Sequence, residues 1–420
     1  MMAMSAATLL AGLAAFASLL WSVFFLQTRT YEGLAVAVGV AGLMTALLRR
    51  RSIRTVADVP IALYAALAIT SALVHRGPHA ASTVADPTSP WRIAVDVIFF
   101  YGAVTLVSSR VALGAVMTSL VIGTSVIGLG AAYDSLVMSI HGEMRMYEYP
   151  TISQWNGWAI VGLVLSIGFP LALAPAIVSR RWSAATASAF LATVILASVW
   201  YIDSRGAYLA VAMTIVVLAV VEVAILRHGR LAVVLATGLV AIGLFAAARP
   251  TFAAQFANGV RVRVMSKFAN PQADRRVGKS DTGGLDTGFG RLDIWRRAIA
   301  SIGQHPWLGV GPGRYQDARS THAHNMPLHI AAELGIPGSL AFLAIWWQLL
   351  GALRKLVTPS AIGVLAVGFG GALLAYFFRT LSDHFGSGIF VTSDRVRFLL
   401  WTLFAASAAI IRVYRDEAAC

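Results

Sequence analysis

The sequence is poor in the features that a soluble or disulfide-bonded protein depends on. Its single cysteine, Cys420, excludes a disulfide framework and a metal site built from thiolates. Charged residues make up 12% of the chain, against about 25% in soluble domains. Acidic residues are especially scarce, with 19 Asp and Glu against 33 Lys and Arg. This composition excludes a soluble globular domain and leaves a basic membrane protein.

Long apolar stretches take the place of charge. Hydrophobic residues account for 58% of the chain, and the mean hydropathy is +0.73. A helix needs about 20 apolar residues to cross a hydrocarbon core of roughly 30 Å, and its backbone amides must bond within the segment. We therefore predict an all-α polytopic membrane protein with about twelve transmembrane helices. These spans are 5–26, 33–48, 57–74, 92–109, 111–133, 155–178, 183–202, 206–226, 231–248, 335–353, 360–379 and 396–414.

The charge of the short loops predicts how the chain lies in the membrane. Basic clusters occur at 49–54, 180–181, 227–230, 354–355 and 412–415. All of them fall on one side of the predicted bundle, which the positive-inside rule makes cytoplasmic. The long polar loop 249–334 then faces the other compartment. It separates spans 1–9, in residues 1–248, from spans 10–12, in residues 335–420.

The outer loop 249–334 carries more positive charge than its position explains. It holds twelve Lys and Arg against five Asp and Glu before Glu333. Long loops are translocated regardless of charge, so the simplest reason for the excess is an anionic ligand. Arginine binds phosphate with two parallel hydrogen bonds. A base-composition bias in the genome explains the overall excess of arginine in the chain equally well. Nucleic acid is not expected as a partner outside the cytoplasmic membrane.

Within that loop, residues 291–303 have the periodicity of an amphipathic helix. The apolar residues on its predicted face are Leu292, Trp295, Ile299 and Ile302. Such a helix lies along a membrane surface, and an anchoring role alone accounts for Arg296 and Arg297. Arg291, at the start of the helix, is instead a candidate to face a phosphate.

A glycine-rich segment, HPWLGVGPGRY, follows at 305–315. A dinucleotide site needs a strand before such glycines and a helix after them within an α/β unit. Neither is predicted here. We interpret the segment as a tight turn, whose amides offer only a weak signal for an anion nest.

Three histidines near the end of the loop are candidates for proton chemistry, because imidazole titrates near neutral pH without strong tuning. The spacing of His322, His324 and His329 matches no common metal site, and no HExxH motif accompanies them. We therefore predict no metal ion. His322 and His329 are interpreted as solvent-exposed loop residues, which leaves His324.

A motif that begins at His324 resembles a known family. His324-Asn325, nine further residues and GIPG at 335–338 resemble the His-(Asn/Ser/Gln)-x9-GxxG pattern of bacterial O-antigen ligases and the wider ligase and polymerase superfamily. The resemblance extends to DSRGA at 203–207, RLDIW at 291–295 and PWLGVG at 306–311. Together with the predicted spans and the long outer loop, it covers essentially the whole chain.

This resemblance implies a glycosyltransferase of the GT-C type in the bacterial inner membrane, with its active site facing the periplasm. The implied donor is a glycan on undecaprenyl diphosphate, and the implied acceptor is lipid A-core. The protein is also expected to contact the surrounding membrane lipids. The implied transfer inverts the anomeric centre and needs no metal or other cofactor. Three alternatives stay open: a polymerase using the same donor, a protein-glycosylating relative, and a twelve-helix transporter. Transporters often contain internal repeats, and this sequence shows none, which counts against the third.

The resemblance also implies roles for individual residues. The catalytic histidine of the family corresponds to His324, with Asn325 beside it as a substrate-binding candidate. The phosphate-binding arginines correspond most closely to Arg205 and Arg291. Arg205 follows Asp203 and Ser204 where the seventh span meets the outer surface, a position that also suits a snorkelling arginine.

Three more substrate-binding candidates come from the residues themselves. Arg261 and Arg263 alternate with valines, which places both on one side of an extended segment. There they meet either a second phosphate or anionic lipid headgroups. Asn156, between two tryptophans at the outer end of the sixth span, offers an amide to a sugar, although an aromatic belt explains the tryptophans equally well.

Overall fold

The structure is a computed structural model of the chain. The residues that it describes are 2–25, 31–50, 52–75, 90–140, 158–179, 182–201, 204–226, 288–315, 323–382 and 394–418. Every regular element within these ranges is a helix.

Twelve helices are described. They are α1 (Met2–Phe25), α2 (Tyr31–Leu48), α3 (Asp58–Val74), α4 (Pro90–Leu106), α5 (Arg110–Ile140), α6 (Trp158–Val178), α7 (Trp182–Tyr201), α8 (Arg205–Val221, continued by a π-helix over Glu222–Leu226), α9 (Gly288–Gln304), α10 (Met326–Arg354), α11 (Ala361–Ser382) and α12 (Asp394–Ala418).

Most of the predicted spans coincide with these helices. Eleven of the twelve match α1–α8 and α10–α12, whereas the predicted span 231–248 lies outside the described residues. Among the described residues, seven helices are long and apolar enough to cross a membrane, and three shorter apolar helices accompany them. The chain is therefore an all-helical polytopic membrane protein.

Aromatic side chains hold the last three helices together. Trp346 of α10 contacts Tyr376 and Phe377 of α11 and Phe404 of α12, with ring centroids 5.9, 5.5 and 5.2 Å away respectively. Such pairs contribute about 0.5–1.5 kcal/mol each beyond their area burial. Because α11 also packs against α6 and α8, it forms the centre of the C-terminal half of the bundle.

A buried arginine of α12 pairs with carboxylates of α2 and α4. The guanidinium of Arg397, in the first turn of α12, lies 3.2 Å from Glu32 of α2 and 3.4 Å from Asp96 of α4. A buried guanidinium that lost its opposite charges would destabilise the fold by about 3–5 kcal/mol. The two carboxylates therefore help to hold α2 and α4 against the first turn of α12.

The tenth predicted span begins earlier than the sequence indicates. Helix α10 starts at Met326 rather than at 335, so the end of the predicted loop is helical. Residue 335 instead marks a kink, where Gly335 has φ 74° and ψ 175°. The polar residues His329 and Glu333 concealed this first part of the helix from a hydropathy argument, because they are buried inside the protein.

Candidate active site

His324 and Asn325 form the cap of helix α10. Asn325 has an extended backbone, with φ −158° and ψ 115°, and its side-chain oxygen accepts a hydrogen bond from the N–H of Leu328 at 3.1 Å. Asparagine is among the best residues at this position, because its oxygen satisfies an amide that the helix leaves unpaired. The second residue of the motif therefore has a structural role whatever else it binds.

His324 itself has a left-handed backbone, with φ 49°. Few residues other than glycine adopt this conformation, and histidine is among those that do so more readily. Its side chain is only partly buried. The imidazole is therefore fixed to a backbone turn that directs the chain into α10, and part of its surface stays accessible.

The start of α10 is tied to the end of α11. The side-chain amide of Asn325 donates to the carbonyl of Leu381 at 3.4 Å. Within α10, the hydroxyl of Ser339 donates to the carbonyl of Pro327 at 3.0 Å, across the kink. These contacts hold the cap of α10 against the last turn of α11.

The glycine-rich turn 305–313 docks on the kink of α10. Backbone hydrogen bonds run from Val310 N to Ala332 O (2.9 Å), Gly311 N to Glu333 O (3.0 Å) and Ile336 N to Pro306 O (2.8 Å). The kink frees these carbonyls and this amide from the helix, and the turn satisfies them. The prediction of a turn is confirmed, since Gly309, Gly311 and Gly313 all have positive φ.

Two glycines allow the turn and the kink to meet. A Cβ atom on Gly309 would lie 2.2 Å from the carbonyl carbon of Glu333, and one on Gly335 would lie 2.3 Å from that of Trp307. Both contacts are to backbone, which cannot swing aside as a side chain would. The first glycine of the GxxG motif is therefore a contact point between two parts of the chain.

Helix α3 supports the same junction. The hydroxyl of Ser71, near the end of α3, donates to the carbonyl of Leu308 at 2.7 Å and lies 3.3 Å from that of Glu333. A Cβ atom on Gly311 would meet the side chain of His75 at 3.0 Å. The first quarter of the chain thus contributes directly to the support of the motif.

The N-terminus of α8, where Arg205 lies, also contacts the last part of α11. Ser204 caps α8, accepting from the N–H of Ala207 at 3.4 Å, and Arg205 is the first residue of that helix. The fully buried guanidinium of Arg379, in α11, donates to the Ser204 hydroxyl at 2.9 Å. The N-termini of α8 and α10 therefore meet at one end of α11, although the side chain of Arg205 lies outside the described residues.

Two helix N-termini at one place favour a negatively charged ligand. Each presents backbone N–H groups and the positive end of a helix dipole. The arrangement suits an anion such as a phosphate near an accessible imidazole.

Helix α9 packs against α10 through one side and leaves some of its large apolar residues exposed. Its buried residues are Ile294 and Ala298, and Ala298 clusters with Ala323, just before His324. On the predicted apolar face, Leu292 and Ile299 are 45% and 57% exposed, as expected of a face directed at a membrane surface, whereas Ile302 packs on this cluster. The small side chain of Ala298 permits the close contact, and the larger apolar residues point away from the protein.

The prediction for His329 was also wrong. It is 1% exposed, and its Nε2 lies 3.0 Å from Oε1 of the fully buried Glu333, one helical turn away. Hydropathy and loop statistics missed both residues. The signal that could have found them is their spacing of four, which places a histidine and a glutamate on one face of a helix.

Several candidates lie outside the described residues. These are Arg261, Arg263, Asn156, His322 and the side chain of Arg291, whose backbone lies in the first turn of α9. Sequence reasoning also overlooked Arg379, which the structure joins to Ser204. Nothing in its sequence surroundings distinguishes it from an arginine that ends a membrane helix.

A comparison with protein families identifies the central part of the chain. The family model described as O-antigen ligase matches residues 184–343. These residues form an O-antigen ligase domain. The match runs from α7 through the kink of α10, so it includes His324, Arg205 and Arg291, whereas the supporting helices α3 and α11 lie outside it. No curated protein matches the chain significantly.

Proposed function

We propose that this protein is an O-antigen ligase, which transfers a glycan from undecaprenyl diphosphate to a sugar of lipid A-core. The observation that carries the proposal is the position of His324. It lies at the left-handed turn that precedes α10. The end of α11 separates it from the N-terminus of α8, whose first residue is Arg205. Family membership supports the class of reaction, and the geometry supports the assignment of roles.

In this proposal His324 activates or orients the acceptor hydroxyl. The hydroxyl oxygen attacks the anomeric carbon, the bond from that carbon to the diphosphate oxygen breaks, and its electron pair leaves with undecaprenyl diphosphate. The hydroxyl proton passes to the imidazole. Attack from the face opposite the leaving group inverts the anomeric centre.

Arginines stabilise the departing diphosphate in this scheme. Arg205, at the first position of α8, would add a guanidinium to a helix N-terminus that already favours anions. Arg291 occupies the helical stripe of Ile294 and Ala298, three and seven residues later, which is the buried stripe of α9. Fixed guanidinium charge in a partly dry site serves where other glycosyltransferases use a metal ion, so the reaction is proposed to be metal-independent.

The remaining candidates would extend the site toward the substrates. Arg261 and Arg263 are proposed to hold the second phosphate, Asn325 and Asn156 to contact sugar. The loop 249–334 and the site are proposed to face the periplasm, as the positive-inside rule predicts. The fold is proposed to be of the GT-C type, with twelve spans.

The proposal is tested first at His324. His324→Asn keeps a residue that tolerates a left-handed backbone but removes the titratable ring, and His305→Asn is the matched control, because His305 is exposed on the turn. We expect His324→Asn to lower kcat about 10²- to 10⁴-fold without changing the melting temperature, and His305→Asn to retain wild-type turnover. Near wild-type turnover of His324→Asn would refute the assignment.

A second experiment separates the ligase from an O-antigen polymerase, which would use the same donor. Purified protein is incubated with undecaprenyl-diphosphate-linked glycan and chelator, with and without lipid A-core, and the products are resolved by size. Glycan on lipid A-core supports the ligase and its independence of metal. A ladder of longer lipid-linked glycan without lipid A-core would instead identify a polymerase, and activity only after metal addition would contradict the metal-free scheme.

A further inference from the structure

The buried His329–Glu333 pair has no part in the proposed reaction, yet it lies directly beside the residues that do. The two side chains are 1% and 0% exposed, with Nε2 and Oε1 3.0 Å apart. Burying such a pair costs desolvation energy, and an apolar pair of similar volume is often as stable or more stable. Packing of α10 alone therefore gives no reason for these two residues.

The carboxylate of Glu333 faces the end of the glycine-rich turn. The imidazole of His329 and the backbone amides of Gly313 and Tyr315 lie within electrostatic reach of that side chain. Tyr315 also packs edge-on against the His329 ring, with centroids 5.3 Å apart. Residues 313–315 thus lie against the pair on α10.

The other ring nitrogen of His329 faces the residue before His324. The backbone N–H of Ala323 donates to His329 Nδ1 at 3.5 Å, which is long for a hydrogen bond. If Nδ1 accepts, the ring proton of a neutral histidine resides on Nε2 and points to Glu333. One imidazole therefore links the Glu333 carboxylate to the backbone of Ala323.

These contacts surround a strained residue. The left-handed φ of His324 costs roughly 1–3 kcal/mol, and such a conformation persists only where its surroundings over-determine it. Ala323 lies on its N-terminal side, bound to His329 and packed with Ala298, Tyr315 and Ala332. On its C-terminal side stands Asn325, the cap of α10.

We propose that the buried His329–Glu333 pair positions the catalytic imidazole, holding His324 in its left-handed conformation through the backbone of Ala323 and the anchored residues 313–315. The inference rests on the proposed function of His324. His329 and Glu333 are positioning residues, since neither takes part in the transfer.

Two substitutions at one position separate positioning from simple stability. In His329→Asn, the side-chain oxygen lies near the place of Nδ1, so it can still accept from Ala323 while the contact with Glu333 is lost. In His329→Gln, the amide nitrogen lies near the place of Nε2, so it can still donate to Glu333 while the contact with Ala323 is lost. Glu333→Gln, which keeps an acceptor for His329, is compared with Glu333→Leu, which does not.

The expected results differ between the two variants. His329→Gln lowers kcat about tenfold, whereas His329→Asn stays within about threefold of wild type, although it melts at a lower temperature because Glu333 loses its partner. The KM for the lipid-linked donor stays unchanged in both, because the pair does not touch substrate. Glu333→Gln recovers at least part of the turnover that Glu333→Leu loses.

Hydrogen exchange provides a readout that does not depend on catalysis. Peptides that cover 313–329 are followed by mass spectrometry, and the amide of Ala323 should exchange faster in His329→Gln than in His329→Asn. Equal turnover and equal exchange in these two variants would overturn the positioning role. If His324→Asn retained activity, the proposed function would fail, but the exchange result would still decide whether the pair holds this segment.

Discussion

The contact between Gly335 and the glycine-rich turn makes the sharpest prediction about the motif. Gly335→Ala would place a methyl group 2.3 Å from the backbone of Trp307 and 2.7 Å from the carbonyl oxygen of Pro306. The residue would also have to keep φ 74° and ψ 175°, a region of conformational space that is essentially restricted to glycine and costs roughly 1–3 kcal/mol otherwise.

The two free-energy costs together determine how much of the protein keeps the turn docked on the kink. Overpacking of a well-filled site adds about 1–3 kcal/mol, so the docked arrangement loses about 2–6 kcal/mol in all. At 1.4 kcal/mol per factor of ten, its population relative to displaced states falls about 30-fold or more. The alternative to displacement is a lower free energy of unfolding, so either kcat or the melting temperature must fall.

Gly351→Ala is the matched control. Gly351 lies further along the same helix, and a Cβ atom there would meet nothing within 4 Å. Alanine favours a helix over glycine by about 1 kcal/mol, so this variant should keep wild-type turnover and melt no lower. The assay is glycan transfer to lipid A-core, together with thermal unfolding in detergent. Equal behaviour of the two variants would refute the reasoning from the close contact.

Three further predictions concern the caps and the arginine beside them. Ser204→Ala removes the cap of α8 and a hydrogen bond from Arg379, so the melting temperature should fall by the equivalent of about 1–3 kcal/mol. Ser198→Ala, which loses only a hydroxyl bond to the carbonyl of Val194, should change it less. Asn325→Asp keeps an acceptor for the N–H of Leu328 but loses the donor to Leu381. In thermal unfolding, its stability should therefore lie between those of wild type and Asn325→Ala. A wild-type melting temperature for Asn325→Ala would contradict the capping role. Arg205→Lys keeps the charge but not the two-pronged geometry, so we expect the KM for the donor to rise about tenfold in initial-rate assays, and an unchanged KM would remove Arg205 from the diphosphate site.

Hydropathy predicted the helices well because the constraint behind it is strong. A segment in lipid must satisfy every backbone group internally, so long apolar runs leave little alternative to a helix. Hydropathy failed at the beginning of α10, where His329 and Glu333 made the chain look like a loop. Those residues are buried because they pair with each other, and a residue-by-residue scale contains no information about partners.

The sequence nominated residues for the candidate site but gave no sign of the side chains that support them. The motif selected His324, and the structure explains the motif: a left-handed turn at His324, a cap at Asn325 and a kink at Gly335. By contrast, Ser71 lies 237 residues before its partner Leu308. Arg379 lies 175 residues after its partner Ser204. Only the packing of α3 and α11 brings such distant residues to the site.

The contact that α9 makes with the rest of the protein was not predicted, for a reason that also bears on the site. The periodicity argument directed the largest apolar residues at the membrane surface and did not say which residues face the protein. In a membrane protein, large apolar residues can face lipid, and helices approach each other through small residues. Ala298 contacts the cluster that includes Ala323, so a small residue on α9 sets how closely this helix, which begins near Arg291, approaches the backbone next to His324.

The site is held together by contacts that each join two separate parts of the chain. Helix α11 joins the caps of α8 and α10 through Arg379 and Leu381, while α3 and the glycine-rich turn hold the kink. None of these supports needs to bind substrate. In the proposed metal-free transfer, the cations must not relax toward solvent, since their advantage would come from being ordered before the charge develops. The buried supports at the ends of α3, α8, α10 and α11 are proposed to provide that order, which is why we expect their substitution to lower kcat even where no substrate contact is lost.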